Sequence, residues 1–526
     1  MYPQTLIDQF QAHVRRRGDA ACLILGDWDL SWNEVEAWSE LFAQQLHDAY
    51  GVGPGRTVGL LLRNSAELVV AFLAVQKLGA IASCLNTRIS VDATLQTVRA
   101  EDHAVVLIGP SFADSFASAL TAGQEVRVMV LGENEPPDVL ASVREHGRIT
   151  SEARPTDLCN IFHTSGTTGF PKGAALTHVT QTISGLQYAL EMGVSRKDVG
   201  LSAAPMVIGA ATNFFVCFTI VVGAPLVLLP EPTPRAVRSS LYRDGVTAMF
   251  AVPTQLHAFL SETDPSLGAP AALRIVRTGG SSLTVETIRR IRAEWHAEVV
   301  NTYGTTESGT AITTMHTAYD AEEKWATIGK AAYFQEVMVQ PVDPDGSEVA
   351  ERRTTFGQLL NRGPQAIDHY HLRPESPLKD TDGWQSTRDV VEVDDDGYLS
   401  IVDRLDNVIV SGGENIYPQA VENVLLESPR VADAAVGSVP DEVWGERVVA
   451  LIVSADDEDV DVDALRSELG ALFESSTAAR AHWRPREYRF VDAIPRNILG
   501  KIDRTEIRDL VRRLSSPDVS ACRRHW

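Results

Sequence analysis

The chain has 526 residues and a formal net charge of −23 at pH 7, from 47 Lys and Arg against 70 Asp and Glu. With 44% hydrophobic and 22% charged residues, its composition excludes a disordered, collagen-like or disulfide-rich chain, and its length predicts several structural units. The acidic balance excludes the broad positive field that binding to nucleic acid or anionic membranes requires. Any phosphate-bearing ligand therefore needs a local site.

Five scattered cysteines without a CxxC pair or metal-ligand spacing predict buried thiols in a reducing compartment, and so a cytoplasmic protein without a disulfide framework. The N-terminal residues show no basic segment followed by an apolar run, so we expect no signal peptide. The apolar run 214–229 is shorter than the roughly 18 residues of a membrane span and contains Gly223 and Pro225. We therefore predict a core helix, a turn and a buried strand there, and no membrane span.

Segments of strand length alternate with segments of helical periodicity through the first part of the chain and again after residue 200. The predicted strands are 57–62, 104–108, 126–131, 225–229, 248–252 and 275–278. The predicted helices are 66–78, 235–243, 254–261 and 285–295. This alternation predicts two α/β units, each with a parallel sheet.

The pattern changes after residue 329. Residues 329–401 contain short β-like runs interrupted by Asp, Gly and Pro, which predict a small barrel or sheet. A compact α+β segment follows, with helices at 418–426 and 462–473 and strands at 431–438, 447–454 and 487–491. The acidic run 456–463 is interpreted as a solvated loop.

The loop at residues 163–173 reads His-Thr-Ser-Gly-Thr-Thr-Gly-Phe-Pro-Lys-Gly and follows a predicted strand at 159–162. Its glycines and hydroxyls expose hydrogen-bond donors to an anion, and Lys172 adds a positive charge. It differs from the GxxxxGK[ST] loop, because Pro171 precedes the lysine and Gly173 follows it. A flexible linker is the alternative, but a linker does not need Pro-Lys-Gly. We therefore predict a phosphate-binding loop.

Four further motifs follow in order: Asn-Thr-Tyr-Gly-Thr-Thr-Glu at 301–307, Thr-Arg-Asp at 387–389, Asp-Arg-Leu-Asp at 403–406 with Gly-Gly at 412–413, and Pro-Arg-Asn-Ile-Leu-Gly-Lys-Ile at 495–502. Together with the loop, they resemble the adenylate-forming superfamily of acyl-CoA synthetases, adenylation domains and luciferases over essentially the whole chain. The resemblance implies an α/β fold: a large N-terminal domain (1–403) of two parallel α/β subdomains plus a small β-barrel, a hinge (404–406) and a small mobile α+β C-terminal domain (407–526).

The resemblance also implies a two-step reaction that uses ATP, Mg²⁺ and coenzyme A. A carboxylate attacks the α-phosphate of ATP to give an acyl adenylate and pyrophosphate, and the thiol of CoA then displaces AMP. The C-terminal domain would rotate between the two steps about a hinge at Asp406.

The resemblance implies a role for each residue that matches a family motif. The residues that would hold the β- and γ-phosphates are Thr164, Ser165, Gly166, Thr167, Thr168, Gly169 and Lys172. Tyr303 would stack on adenine, with Gly280, Ser281, Gly304 and Thr305 beside the nucleotide. Thr306 would contact the α-phosphate, Glu307 would bind magnesium, and Lys501 would bridge the substrate carboxylate and the α-phosphate. Asp389 would bind the ribose hydroxyls and Arg404 would lie near ribose and phosphate.

Taken singly, Tyr303, Glu307 and Asp389 have structural alternatives as a core aromatic, a helix-start carboxylate and a turn residue. The joint pattern favours the functional interpretation. For CoA, Gly412 and Gly413 would line the pantetheine tunnel, and Arg484 would bind a phosphate. Trp444 would stack on the CoA adenine or, as the alternative, pack within its own domain.

The acyl pocket implied by the resemblance has apolar or small residues, Ile208, Phe250, Gly279 and Thr310. The segment that begins at Pro205 lacks an aspartate, which disfavours an amino acid substrate because a buried ammonium needs a paired carboxylate. A hydrophobic or aromatic carboxylic acid fits best. Arg388, where many relatives carry glycine, is a departure that affects the neighbourhood of the ribose site.

The predicted function is an AMP-forming acyl-CoA ligase with a small-molecule carboxylic acid and CoA as its substrates. Two related alternatives remain open: a thioester-forming partner that uses a preformed adenylate, and an adenylating enzyme that loads a carrier protein. A luciferase-like oxygenase has no separate support in the sequence, and a non-enzymatic adenylate-binding protein is disfavoured. The oligomeric state is open, with a homodimer among the options.

Overall fold

The computed structural model describes residues 4–87, 89–120, 126–132, 153–164, 172–262, 268–342, 354–455, 462–475, 481–496 and 502–515. The chain divides into two compact units. The first comprises Met1–Val337 and Asn361–Gln385, and the second comprises Met338–Leu360 and Ser386–Trp526.

A nine-stranded sheet forms one layer of the first unit. In spatial order its strands are Lys330–Ala331, Ala311–His316, Glu298–Gly304, Ile275–Gly279, Ala248–Phe250, Gly200–Ser202, Leu226–Val227, Ala21–Leu25 and Trp28–Ser31. The central pairs are parallel, and the strands at the two ends are antiparallel to their neighbours. The predicted strands at 225–229, 248–252 and 275–278 are thus confirmed as members of one mainly parallel sheet, in which Gly200–Ser202 lies between the first two.

An eight-stranded sheet forms the second layer of this unit. Its strands in spatial order are Arg373–Pro377, His369–Tyr370, Lys172–Thr177, Leu158–Thr164, Ile81–Cys84, Thr57–Leu61, Val105–Ile108 and Val128–Val130. The five strands from Leu158–Thr164 onward run parallel, and the others are antiparallel. The antiparallel pair at the centre of this order carries the ends of the predicted phosphate loop.

Helices flank these sheets. They are Leu6–Arg17, Trp32–Tyr50, Ala66–Lys77, Val91–Ala100, Pro110–Ala119, His178–Met192, Gly209–Phe215, Pro234–Arg243, Pro253–Ser261 and Val285–Arg290, with π-helical turns at Val216–Val222 and Ile291–Trp295 and a 3₁₀ turn at Glu322–Lys324. Three of them begin with capping boxes at a hydroxyl residue, Thr5, Ser31 and Thr177, whose side chains accept from the amide of the third residue of the helix. Helix Ala66–Lys77 is buried along its whole length, as its apolar sequence predicts.

The apolar run 214–229 folds as the predicted helix, turn and buried strand. Helix Gly209–Phe215 continues into the π-helical turn Val216–Val222, Gly223 ends it with φ +73°, and strand Leu226–Val227 follows. Glycine suits this end because the left-handed conformation is unstrained without a Cβ. Across the part of the chain that the structure describes, no helix has the length and apolar character needed to cross a bilayer.

The second unit contains two sheets. The region predicted as a small barrel or sheet contributes the four-stranded sheet Glu336–Gln340, Phe356–Arg362, Gln385–Val393 and Leu399–Arg404. The terminal residues 336–337, 361–362 and 385 of three of these strands are assigned to the first unit. The other sheet comprises Glu414–Ile416, Ile409–Ser411, Gly445–Ser454, Val431–Asp441 and Glu487–Phe490. Helices Pro418–Leu425, Val462–Ser475 and Arg504–Leu514 and the 3₁₀ turns Leu405–Asn407 and Ala481–Trp483 complete this unit.

The α/β fold class is confirmed, including a separate α+β segment at the C-terminal end. The domain boundary at residue 403 and the hinge at 404–406 stay predictions. In the division into compact units, strand Leu399–Arg404 and turn Leu405–Asn407 both belong to the second unit.

A buried ion pair links a strand and a helix inside the first unit. Arg277 on strand Ile275–Gly279 donates from Nη1 to Glu191 Oε2 at 2.5 Å, and both side chains are almost fully buried. The Arg277 guanidinium carbon also lies 3.5 Å from the centroid of the Tyr188 ring. Gln187 Nε2 donates to the other Glu191 oxygen at 2.9 Å. The two buried charges are thus paired with each other through Arg277 Nη1.

We expect Glu191→Ala to lower the free energy of unfolding by about 3–5 kcal/mol, because it leaves the Arg277 guanidinium buried without its counter-ion. Chemical denaturation of the two forms measures the difference. The matched control is Glu322→Ala, which removes an ion pair to Arg289 whose side chains are both more than half exposed and should change stability by about 0–1 kcal/mol. Equal effects of the two substitutions would contradict this role for the buried pair.

Candidate active site

The antiparallel strands Leu158–Thr164 and Lys172–Thr177 carry the two ends of the predicted phosphate loop. Their register places Thr164 opposite Lys172. Both predicted phosphate-binding residues are therefore neighbours across one strand pair. The loop residues between them, Ser165, Gly166, Thr167, Thr168 and Gly169, lie outside the described residues.

Tyr370 connects Lys172 with Glu307. Lys172 Nζ lies 5.2 Å from the centroid of the Tyr370 ring, within the range of a cation–π contact. The Tyr370 hydroxyl donates to Glu307 Oε1 at 2.5 Å. Tyr370 reaches this position because its strand pairs with Lys172–Thr177, with Tyr370 opposite Ala174. The predicted lysine and the predicted magnesium-binding carboxylate thus share one aromatic neighbour, which the motifs did not identify.

The turn that follows Tyr303 holds Thr306 and Glu307 in a defined backbone path. The Ser308 amide donates to Thr305 Oγ1 and the Thr305 amide donates to Ser308 Oγ, each at 3.1 Å. Gly309 has φ +70°, and a Cβ there would lie 2.5 Å from the Gln365 carbonyl oxygen, so only glycine fits.

Side chains from two helices fix the same turn from the interior. Asn213 Nδ2 and Ser184 Oγ donate to the Gly309 carbonyl oxygen at 3.0 and 3.1 Å. Gln187 Nε2 donates to the Ala311 carbonyl oxygen at 2.8 Å. The helix His178–Met192, which directly follows strand Lys172–Thr177, therefore also supports the turn that carries Glu307.

The predicted nucleotide residues Gly280, Ser281, Gly304 and Thr305 lie at or directly after the ends of two neighbouring strands. Gly279 pairs with Thr302 in parallel register, and Gly280 leaves its strand with φ +87°. The carboxyl ends of adjacent parallel strands are the usual position of ligand sites in open α/β sheets. Tyr303 is half-buried and Ser281 is exposed at this edge.

The predicted acyl-pocket residues have different environments. Ile208 is 36% exposed at the start of helix Gly209–Phe215, whereas Phe250 is buried with its ring centroid 6.0 Å from that of Phe214. Thr310 is buried, and its hydroxyl has no hydrogen-bond partner among the described residues. Phe250 thus belongs to the apolar core of the unit, while Ile208 is accessible.

In the second unit, the predicted ribose and hinge residues form one ion network. Asp389 is opposite Arg404 in the strand pair, and Arg404 Nη1 lies 3.7 Å from Asp389 Oδ1. Arg404 Nη2 also lies 3.8 Å from Asp406 Oδ2. Arg388 donates from Nε to both Asp406 oxygens at 3.2 Å and from Nη2 to Oδ1 at 2.5 Å. The hydrogen bond to Asp406 raises the pKa of Arg388 above its ordinary value.

The backbone explains why Arg388 is unusual. Its φ of +61° lies in the left-handed region that favours glycine. A side chain at this position therefore carries backbone strain, and the paired hydrogen bonds to Asp406 offset it.

Gly412, the first glycine of the pair proposed for CoA, lies against Trp444. The Gly412 amide donates to the Trp444 carbonyl oxygen at 2.8 Å, and a Cβ on Gly412 would lie 2.7 Å from Trp444 Cε3. Gly413 has φ +81° and open space around its Cβ position. The guanidinium carbon of Arg486 lies 3.4 Å from the centroid of the Trp444 ring, and Arg484 Nη1 lies near Gly470. Arg484 was the residue predicted from the sequence, whereas the arginine that stacks on Trp444 is Arg486.

Within the described ranges, no group of three or more His, Cys, Asp or Glu could hold a metal ion. A single carboxylate, Glu307, suits Mg²⁺ because this cation usually takes one or two protein carboxylates together with phosphate oxygens and water. The hydrogen bond from Tyr370 orients that carboxylate. Lys501, the predicted catalytic lysine, lies outside the described residues.

Comparison with known families places both parts of the chain. Residues 10–371 match the family model "AMP-binding enzyme", and residues 420–501 match "AMP-binding enzyme C-terminal domain".

Relatives and solved structures extend over nearly the whole chain. It is 33% identical to a feruloyl-CoA synthase of Amycolatopsis sp over 88% of this chain and 90% of that protein. It is 32% identical to a long-chain-fatty-acid–CoA ligase of Mycobacterium tuberculosis over 88% of this chain and 89% of that protein. The o-succinylbenzoate CoA synthetase of Bacillus subtilis, solved with its acyl-adenylate intermediate, matches with a TM-score of 0.79 and 27% identity over 96% of this chain and 98% of that one. The chain therefore belongs to the AMP-binding enzyme family, and its resemblance to the acyl- and aryl-CoA ligases of the adenylate-forming superfamily is confirmed.

Proposed function

We propose that this chain is an AMP-forming acyl-CoA ligase. It activates a carboxylic acid with ATP to an acyl adenylate and pyrophosphate, and it transfers the acyl group to CoA with release of AMP. Family membership and the CoA ligases among its relatives support this function. The main structural support is the position of Tyr370, whose ring faces Lys172 and whose hydroxyl donates to Glu307. This contact lies at the end of the strand pair that holds the phosphate loop.

The first step requires positive charge beside the triphosphate of ATP. A carboxylate must approach a triphosphate, and the protein itself carries a net charge of −23. Fixed cations aimed at the α-phosphate are therefore the main means of lowering this barrier. We assign Lys172 to the β- and γ-phosphates, Arg404 to ribose and phosphate, and Lys501 to the reacting carboxylate and α-phosphate.

Glu307 would hold Mg²⁺, and Thr306 lies next to it for contact with the α-phosphate. Bound magnesium supplies charge neutralisation on the phosphate oxygens. Tyr370 donates to Glu307 Oε1 and faces Lys172 with its ring. It therefore sets the direction of both groups toward the triphosphate.

The second step breaks the bond between the acyl carbonyl carbon and the AMP oxygen while the CoA sulfur forms its bond to the same carbon. We assign Gly412 and Gly413 to the passage for pantetheine, because their backbone has no side chain of its own there. Trp444 is 36% exposed, so an indole surface remains available to the CoA adenine. Arg486, which stacks on that ring, and Arg484 are the nearby candidates for CoA phosphates.

The acid that we propose is hydrophobic or aromatic. The segment 205–211 contains no charged residue, and Ile208 presents an accessible apolar side chain. Among the four predicted pocket residues, only Thr310 has a polar side chain. Its hydroxyl is buried and has no hydrogen-bond partner among the described residues. Cytoplasmic location and a homodimer stay predictions.

A panel of aromatic, hydroxycinnamic and fatty acids, assayed for pyrophosphate release with and without CoA, tests the proposed function. We expect release with a hydrophobic or aromatic acid, and mass spectrometry should detect the corresponding acyl-CoA only when CoA is present. Exchange of pyrophosphate without any acyl-CoA would favour a carrier protein as acceptor. Thioester formation only from an added acyl adenylate would favour the thioester-forming partner. The absence of both activities over the whole panel would contradict the proposal.

We expect Tyr370→Phe to raise the Mg²⁺ concentration needed for half-maximal pyrophosphate exchange by about 10-fold or more. The substitution removes the hydroxyl that donates to Glu307, and loss of a group that orients a metal ligand typically weakens metal binding by about 10–100-fold. Magnesium titrations of exchange, and of the thermal shift that ATP produces, measure the effect. Tyr319→Phe, which alters an exposed tyrosine, is the control and should match the wild type. An unchanged magnesium dependence in Tyr370→Phe would contradict this role.

A further inference from the structure

A buried cluster of ionisable side chains lies beside the strands that carry the phosphate loop, and the proposed reaction does not use it. Its centre is Glu101, which directly follows helix Val91–Ala100. His163 Nε2 lies 2.9 Å from Glu101 Oε1 and His103 Nε2 lies 3.7 Å from Glu101 Oε2. The side chains of all three residues are at most 9% exposed. Because no described group of this kind has the arrangement of a metal site, the cluster needs another explanation.

The hydrogen bonds of His163 indicate its charge. Its Nε2 faces the Glu101 carboxylate, and its Nδ1 lies 3.1 Å from the Cys84 carbonyl oxygen. A carbonyl and an ionised carboxylate can only accept, so both ring nitrogens must donate. The ring therefore fits this site as an imidazolium paired with Glu101. Ser83 Oγ also donates to the Glu101 carboxylate, to Oε2 at 3.3 Å.

The surroundings keep Glu101 ionised. Burial by itself would raise the pKa of the Glu101 carboxyl, but the hydrogen bond from His163 and the nearby rings of His103 and His371 hold it below its ordinary value. Burial lowers the pKa of His103 to about 4, so that ring is neutral near pH 7. The cluster is thus one ion pair, Glu101 with His163, beside a neutral histidine.

Glu101 also contacts the second strand of the pair. A Cβ on Gly173 would lie 3.0 Å from Glu101 Oε1 and 2.9 Å from Ile161 Cγ2, so the carboxylate fills the space that a side chain would occupy. The His371 amide donates to the Gly173 carbonyl oxygen at 2.7 Å, next to Tyr370 on the third strand. One carboxylate therefore lies where the strand that enters the loop and the strand that leaves it come together.

We propose that Glu101 and His163 are positioning residues for the triphosphate of ATP, an inference that rests on the proposed ligase function. His163 and Gly173 pair across the two strands, and the next pair toward the loop is Thr164 with Lys172. Glu101 holds the first pair, because its carboxylate accepts a hydrogen bond from His163 and lies in close contact with Gly173. This ion pair fixes the orientation from which Thr164 and Lys172 reach the phosphates.

Pyrophosphate exchange tests this role through the separate KM values for MgATP and for the acid. We expect Glu101→Ala and His163→Phe to raise the KM for MgATP by about tenfold or more, since small displacements of positioning groups have effects of this size. The KM for the acid should stay within about twofold, because the further partners of the two side chains, Ser83, Cys84 and His103, include no residue of the predicted acyl pocket. Glu101→Gln, which keeps a hydrogen-bond acceptor but removes the charge, should also raise the KM for MgATP, by less than Glu101→Ala does. An unchanged KM for MgATP in both Glu101→Ala and His163→Phe would overturn the proposal.

The double variant Glu101→Ala/His163→Phe shows whether the two residues act together. If they form one unit, the double variant should have a KM for MgATP close to that of either single variant, whereas multiplicative effects would contradict the pairing. Calorimetric titration of Glu101→Gln with ATP decides the question if the alanine variant does not fold. If Glu101→Gln folds, binds ATP with wild-type affinity and has wild-type KM values, then hydrogen bonding without charge is enough to position the strands. This result would overturn the role of the ion pair.

The matched control is Asp198→Ala. Asp198 has a side chain about as buried as that of Glu101, and its partners Ser195, Thr247 and Arg274 lie outside the phosphate-loop strands. Its loss should reduce thermal stability with an unchanged KM for MgATP. A raised KM in this control would show that general destabilisation explains the Glu101 effect. If the wild type shows no exchange with any acid, the proposed function fails, and this is distinguishable from a wild-type enzyme whose Glu101 variants have an unchanged KM.

Discussion

The antiparallel pairing of Leu158–Thr164 with Lys172–Thr177 is the constraint on which the site depends. It places Thr164 opposite Lys172 and provides the edge on which strand His369–Tyr370 adds, so that Tyr370 comes between Lys172 and Glu307. An acidic protein that binds a triphosphate must concentrate its few cations. Here the backbone hydrogen bonds between the two strands position Lys172, because the strand register fixes the place of its Cα and so the point from which its side chain extends.

Buried polar side chains then connect this strand pair with the turn that carries Glu307. Asn160 donates to Gln181 at 2.8 Å, Gln181 donates to Asn213 at 2.5 Å, and Asn213 donates to the Gly309 carbonyl oxygen. Buried networks of this kind stabilise one arrangement when every member is satisfied. The second unit uses charge in a different way, because Arg388 and Arg404 both approach the Asp406 carboxylate. The predicted hinge residue is thus held by its own unit in this structure.

Much of the fold was predictable because buried parallel strands are short apolar runs and the helices between them have a clear period. The strand order was not, since strand Ala21–Leu25 joins its sheet beside Leu226–Val227, far along the chain. The helix predicted at 285–295 changes to a π-helical turn at Ile291, for which the sequence offers no local signal. Lys172 and Glu307 were identifiable from motifs, whereas Tyr370 and Arg486 act through contacts that only the folded chain creates. Glu101 was equally hidden, because it follows a helix and its partner His163 lies on a strand far along the chain.

Transfer of ¹⁸O from the acid to AMP tests the two-step reaction most directly. An accepted carboxylic acid labelled in its carboxylate oxygens is converted with ATP and CoA, and mass spectrometry determines the label in AMP and in inorganic phosphate. If the carboxylate attacks the α-phosphate and the thiol then attacks the carbonyl carbon, each AMP retains one oxygen from the acid. Unlabelled AMP, or label in inorganic phosphate together with ADP, would contradict an AMP-forming ligase.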